Sequence, residues 1–211
     1  MTAHFGLYLV ITAPVAGYAA CTTAAVQAGL STVQLRMKDA TRDEVIRVGH
    51  DMRSITQGSS TRFIVNDDVE VARTVDADGL HLGQTDMTIG AARQLWPGSE
   101  SKVFGLSTHT ETQASRAQSE SPDYIGVGPV YATPTKRIAD PVLGVARTAA
   151  IVRQSKLPAV AIGGIDRDCL PALLAAGIDH FAVVRYVCQR ARPLDAIREL
   201  LDVVAVQTTF A

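Results

Sequence analysis

The sequence has no excess of charge of either sign: 20 Lys and Arg stand against 21 Asp and Glu, a formal net charge of −1. That balance gives no general field for nucleic acid or an acidic membrane surface, so a bound anion must be held by local groups. No uninterrupted apolar run is long enough to span a bilayer. The first residues lack a basic stretch followed by an apolar one and a cleavage site, so no export signal is expected and the reading is a cytoplasmic protein. Cysteine is scarce too. Cys21, Cys169 and Cys188 are odd in number, widely spaced and form no CxxC, which reads as reduced core thiols. No G-x-G-x-x-G follows the first apolar run, as a dinucleotide-binding fold tends to show, and there is no obvious Ser-His-Asp or Cys-His set.

What is present is alternation. With 47% hydrophobic and 19% charged residues, and no linker or low-complexity segment, the 211 residues read as a single domain with a large core. Apolar runs suited to buried strands are Leu7 to Ile11, Thr32 to Arg36, Phe63 to Val65, Ala77 to Leu82, Lys102 to Ser107, Tyr124 to Val127, Ala159 to Ile162 and Phe181 to Val184. Helical patterns separate them. Thr41-Arg-Asp-Glu44 forms a plausible capping box, with Val45, Val48 and Met52 on the buried side of its helix. The helix after strand seven is expected near Asp168 to Ala176, and the tail is expected to fray over residues 207–211. Eight strand–helix units in about 210 residues match a small (β/α)₈ TIM barrel. A doubly wound sheet also alternates, but here the eighth unit ends with its own helix.

The polar residues fall where these strands end. The stretch Arg62 to Asp68 goes from three apolar residues to Asn66, Asp67 and Asp68; Gly79 to Asp86 repeats the layout with His81, Gln84 and Asp86. Strand two ends in Gln34, Arg36 and Lys38, and strand five in Ser107 and His109. The loop after strand six holds Thr133, Thr135 and Lys136; strand seven ends in Gly163 and Gly164, and strand eight in Arg185. In a barrel all of these face one mouth. Each alone has a plain explanation: Asp67 or Asp68 as a helix cap, His81 as a hydrogen-bonded core residue, the threonines as turn formers. Many strand ends behaving alike favour a site.

Two anion sites are expected. The Gly163-Gly164 turn can bring bare backbone N–H groups against a phosphate at a helix N-terminus, with Arg185 as a bidentate donor. Across the mouth, Arg36, Lys38 and Lys136 can converge on a second anion. The carboxylates Asp67 and Asp86 repel an anion unless a cation such as Mg²⁺ lies between. Opposite charges 4 Å apart at an effective dielectric near 20 gain about 4 kcal/mol. A pyrophosphate bound through Mg²⁺ fits that chemistry.

The ordered set Gln34-Leu-Arg-Met-Lys38, Val65-Asn-Asp-Asp68, His81-Leu-Gly-Gln-Thr-Asp86, Gly105-Leu-Ser-Thr-His109, Val127-Gly-Pro-Val-Tyr131, Thr133-Pro-Thr-Lys136 and Ile162-Gly-Gly-Ile165 resembles the thiamine phosphate synthase family over nearly the whole chain. The resemblance implies a TIM barrel that joins a pyrimidine methyl diphosphate to a thiazole phosphate and releases pyrophosphate. It assigns Gln34, Arg36, Lys38, Asn66, Ser107 and Lys136 to the pyrimidine diphosphate, with Ser107, Lys136 and Arg36 at the reacting centre. It assigns Thr133, Thr135, Gly163, Gly164, Val184 and Arg185 to the thiazole phosphate, and Asp67 and Asp86 to Mg²⁺. The implied mechanism is dissociative and needs no protein nucleophile. Departures from the family pattern are Met37, Ala13, Arg185 and Tyr186. A thiazole tautomerase-like paralogue needs no diphosphate metal site, and a phosphate sensor needs no turnover. The partners implied are small-molecule substrates, with no nucleic acid and no membrane; monomer and homo-oligomer are both left open.

Overall fold

The computed structural model describes residues 5–135 and 140–209. Its strands are β1 (Leu7–Ile11), β2 (Thr32–Leu35), β3 (Arg62–Asn66), β4 (Gly79–Leu82), β5 (Val103–Thr108), β6 (Tyr124–Val127), β7 (Ala159–Ile162) and β8 (Phe181–Val183). All pair in parallel and in chain order, and the ring closes where β1 meets β8, with Leu7 opposite Phe181 and Leu9 opposite Val183. The helices are α1 (Tyr18–Gln27), α2 (Arg42–Thr56), α3 (Val69–Thr74), α4 (Ile89–Leu95), α5 (Glu111–Glu120), α6 (Gly144–Gln154), α7 (Leu170–Ala175), α8 (Arg185–Cys188) and α9 (Pro193–Thr209). This is the expected TIM barrel.

Each strand is covered on both sides, because the barrel has an inner and an outer layer. Outward residues such as Leu9, Ile11, Val33, Leu35, Phe63 and Val65 pack under the helices. Inward residues form a second, smaller cluster inside the ring: Phe5, Tyr8, Val10, Tyr124, Val160 and Ala182. Fully burying one such aliphatic side chain contributes about 1.5–3 kcal/mol, so the larger outer layer carries most of the stability. The inner layer is free to hold polar groups.

Local signals place the loops. Thr41 Oγ1 accepts from Glu44 N at 3.4 Å while Glu44 Oε2 accepts from Thr41 N at 2.8 Å, so the capping box forms. Met52 is fully buried, and Val45 and Val48 are half-buried, as their spacing predicts. The two aspartates after β3 divide the roles they were expected to compete for. Asp68 caps α3, its Oδ1 accepting from Glu70 N and Val71 N at 2.9 and 3.1 Å, while Asp67 stands free of the helix with a left-handed φ of 67°. The last helix, α9, continues to Thr209. Ala196, Ile197 and Leu200 anchor it to the core, and extending a formed helix needs only one further hydrogen bond per residue.

Candidate active site

The carboxyl ends of the strands open into one cavity of about 760 Å³. Gln34 and Arg36 reach it from the end of β2, Asn66 from β3 and Ser107 from β5. Thr133 and Thr135 line it from the β6–α6 loop, Gly163 and Gly164 from the end of β7, and Val184 and Arg185 from beyond β8. Lys136 lies outside the described residues. Arg36 is half-buried and makes no ion pair or side-chain hydrogen bond with a described residue, which leaves its guanidinium to the cavity.

Asp67 and Asp86 do not line this cavity; they meet at its rim, one residue beyond Asn66. Asp67 N donates to His81 O at 2.8 Å, so the β3–β4 ladder continues into the loop and fixes the backbone of Asp67. Asp86 Oδ2 accepts from Gly83 N at 2.7 Å. The Asp67 carboxyl is held above the usual aspartate value, first by burial and then by the Asp86 carboxyl beside it, with Lys38 opposing. Lys38 does not line the cavity; it pairs with Asp67 at the rim. Among the described residues no group of three or more His, Cys, Asp or Glu is arranged to hold a metal ion. Two paired carboxylates nevertheless suit Mg²⁺, which takes one or two of them and fills its other positions with water and phosphate oxygens.

The opposite rim is built differently from expectation. Gly163 and Gly164 adopt φ of 108° and 64°, and a Cβ on Gly164 would come within 2.7 Å of Tyr131 Cβ and 2.8 Å of Ala132 O. Glycine is needed there because the β6–α6 loop lies against the turn, with Val130 N donating to Ile162 O and Tyr131 N to Gly163 O, both at 2.9 Å. The turn is not at a helix N-terminus, since α7 begins only at Leu170. The helix start that faces the mouth is that of α8, a single turn which the sequence pattern was too short to signal. Arg185 is its first residue; its side chain is exposed and Nη2 donates to Gln189 Oε1 at 3.1 Å. Among the described residues it forms no ion pair with a carboxylate; loops after strands seven and eight with a short extra helix are a recurrent phosphate site in barrels.

Below the mouth, polar side chains run through the ring. Gln34 Nε2 donates to Tyr8 OH at 2.8 Å, and Tyr8 OH lies 3.0 Å from Tyr124 OH. Tyr124 OH is 2.9 Å from His81 Nδ1, and His81 Nε2 is 2.9 Å from Ser107 Oγ. Space for the two rings comes from Gly105: a Cβ there would sit 2.2 Å from Tyr124 Cζ and 2.4 Å from His81 Nδ1. Burial pushes the Tyr8 phenol up to about 12 and that of Tyr124 well above its ordinary value, so both stay protonated. Tyr8 and Tyr124 were read as apolar strand residues. The signal that marks them is a tyrosine on the inward-facing register of a strand, where its hydroxyl must find a partner.

The family profile described as "Thiamine monophosphate synthase" matches residues 7–187. The chain belongs to that family. Among proteins of the thiamine monophosphate synthase family, the chain is 42% identical over 195 residues to the thiamine-phosphate synthase of Synechocystis sp., covering 92% of this chain but 56% of that protein's length. It is 37% identical over 204 residues to the thiamine-phosphate synthase of Moorella thermoacetica, covering 95% and 96% of the two chains. A solved thiamine phosphate pyrophosphorylase from Pyrococcus furiosus superposes with a TM-score of 0.86 at 30% identity, covering 96% of each chain. Thiamine phosphate synthases are transferases, and the family places this chain in that enzyme class. No helix among the described residues is long and apolar enough to cross a membrane.

Proposed function

We propose that this family member joins 4-amino-2-methyl-5-hydroxymethylpyrimidine diphosphate to 4-methyl-5-(2-hydroxyethyl)thiazole phosphate, giving thiamine phosphate and pyrophosphate. One observation carries the reading. A single cavity has a paired carboxylate rim at β3 and β4 and, across the barrel, a glycine turn and helix start at β7 and β8. Such a site suits two phosphorylated ligands held with their organic parts between them. The pyrimidine lies against Gln34 and Asn66, and its diphosphate against Arg36, Ser107 and Lys136. The thiazole phosphate takes the N–H groups of Gly163 and Gly164, the Thr133 and Thr135 hydroxyls, Val184 and Arg185.

Asp67 and Asp86 would hold Mg²⁺, which when bound supplies positive charge beside the diphosphate. The bond between the pyrimidine methylene carbon and the diphosphate oxygen breaks first, and pyrophosphate leaves with the electron pair. The guanidinium of Arg36 and the Ser107 hydroxyl stabilise the charge that builds on the leaving oxygens. The thiazole nitrogen then gives its lone pair to the methylene carbon, and no proton has to be removed from it. The protein's work is to align the two ligands and to keep water from the carbocation. Incubating the purified chain with both substrates and Mg²⁺ should release thiamine phosphate and pyrophosphate in equal amounts. Absence of product with both substrates bound would refute the reading.

A further inference from the structure

We propose that Gln34, Tyr8, Tyr124, His81 and Ser107 form one polarised hydrogen-bond chain that couples the two ends of the pyrimidine site: Gln34 accepts from the ligand only when Ser107 donates to it. The inference rests on the pyrimidine diphosphate reading of the cavity. It starts from hydrogen counting. Each phenol has one hydrogen to give, as burial keeps both protonated, and an imidazole in its neutral form has one N–H.

Those hydrogens admit two consistent arrangements. In the first, Gln34 Nε2 donates to Tyr8 OH, Tyr8 to Tyr124, Tyr124 to His81 Nδ1, and His81 Nε2 to Ser107 Oγ, over separations of 2.8, 3.0, 2.9 and 2.9 Å. The Ser107 hydrogen is then turned to the cavity. Gln34 Oε1 also faces the cavity, because no described side-chain polar atom is buried without a partner and Oε1 has none in the protein. In the second arrangement every bond is reversed: the amide turns its NH₂ to the cavity and Ser107 becomes an acceptor. A mixed arrangement either leaves a phenol hydrogen without an acceptor among Phe5, Val10 and Val160 or, where Tyr8 donates to Gln34 and Tyr124 to His81, sets the two phenol oxygens 3.0 Å apart with no hydrogen between them; both are costly where the surroundings are apolar.

The two ends are therefore read together. A heterocycle with an exocyclic amine donates to Gln34 Oε1, which selects the first arrangement and leaves Ser107 a donor for an anionic diphosphate oxygen. An oxo heterocycle asks Gln34 for an N–H, which selects the second and turns the Ser107 lone pairs on the same anion. Tyr8, Tyr124 and His81 act as positioning residues for both ends, and ring chemistry is discriminated partly by a group that does not touch the ring.

The test measures binding of the aminopyrimidine diphosphate and of its oxo counterpart by calorimetry. Wild type should prefer the amine by about a hundredfold or more, since a site built around one hydrogen-bond pattern rejects the other strongly. Tyr8→Phe and Tyr124→Phe keep the rings and cut the chain. Each should lower that preference by about tenfold, the scale of one hydrogen bond, with thiazole phosphate binding and melting temperature retained as signs of an intact fold. Ser107→Ala reads the coupling from the far end without touching a buried tyrosine, and should also lower the preference at Gln34. An unchanged preference in the folded tyrosine variants, or in Ser107→Ala, overturns the proposal. Product assays on the same samples separate the two readings: turnover with an unchanged preference sinks the coupling alone, while coupled preference without product sinks the synthase reading alone.

Discussion

The Asp67 carboxyl, one residue beyond β3, lies beside the Asp86 carboxyl from the loop after β4 and is raised above the ordinary aspartate range, first by burial and then by that neighbour. The pair disfavours its own double ionisation, and a bound cation relieves this. Mg²⁺ should therefore raise the melting temperature of wild type, since a ligand that binds only the folded state stabilises it. Asp67→Asn tolerates the left-handed φ of 67° and should abolish that rise while reducing turnover by roughly 10²-fold or more. Protons compete with the cation, so Mg²⁺ affinity should fall on acidification from a pH above the usual aspartate range. Full activity of the variant, or of wild type in excess chelator, would contradict this.

Arg36 lines the cavity without an ion-pair partner among the described residues. Arg36→Ala should raise the dissociation constant of the pyrimidine diphosphate about ten- to a hundredfold, as loss of a charged donor costs about 1.5–3 kcal/mol. Chemical denaturation should show little change in stability. Calorimetry with the diphosphate and with the unphosphorylated pyrimidine alcohol checks the assignment; equal weakening of both would remove it.

Arg185 bonds to the Gln189 amide at the start of α8. If it holds the thiazole phosphate, Arg185→Ser weakens that ligand about ten- to a hundredfold and leaves pyrimidine diphosphate binding intact. An exposed arginine with only a structural contact changes ligand binding little, so an unaltered constant returns Arg185 to the surface.

Asp76 offers a pH test away from the site. Lys102 Nζ donates to its Oδ1 at 3.0 Å and Arg53 Nη2 to Oδ2 at 3.4 Å, and its carboxyl is lowered below the ordinary 3.8, first by Lys102. A lowered carboxyl contributes stability above its unfolded value and loses it as pH falls through the folded one. Asp76→Asn suits the left-handed φ of 49° and should cost about 0.2–1 kcal/mol at neutral pH, the range for an exposed pair. In urea titrations the difference should vanish once the medium is acid enough to protonate the native carboxyl.

All eight strands were legible as apolar runs, because each is largely buried and ends in polar residues or in glycine or proline within a few positions. The mouth was legible for the same reason: Asn66, Ser107 and Thr133 follow or end such runs. The Gln34-to-Ser107 chain was not. A strand buried on both faces shows no alternation, so Tyr8 and Tyr124 could not be told from outward residues without the register that places them inside. The helix after β8 was missed because four residues carry no period. The pairing of Lys38 with Asp67 was not legible either, because it joins the loops after two neighbouring strands.

Closure of the ring between β1 and β8 has a consequence for synthesis. Strand one leaves the ribosome early and its second neighbour is among the last strands made, so a nascent chain complete through β7 has unpaired edges at β1 and β7. Unpaired edges template association with other chains, and long-range parallel pairing is slow to form. Aggregation risk should thus be concentrated in translation, and arrest peptides that hold the chain before β8 should yield a protease-sensitive species that becomes resistant once Phe181–Val183 emerges.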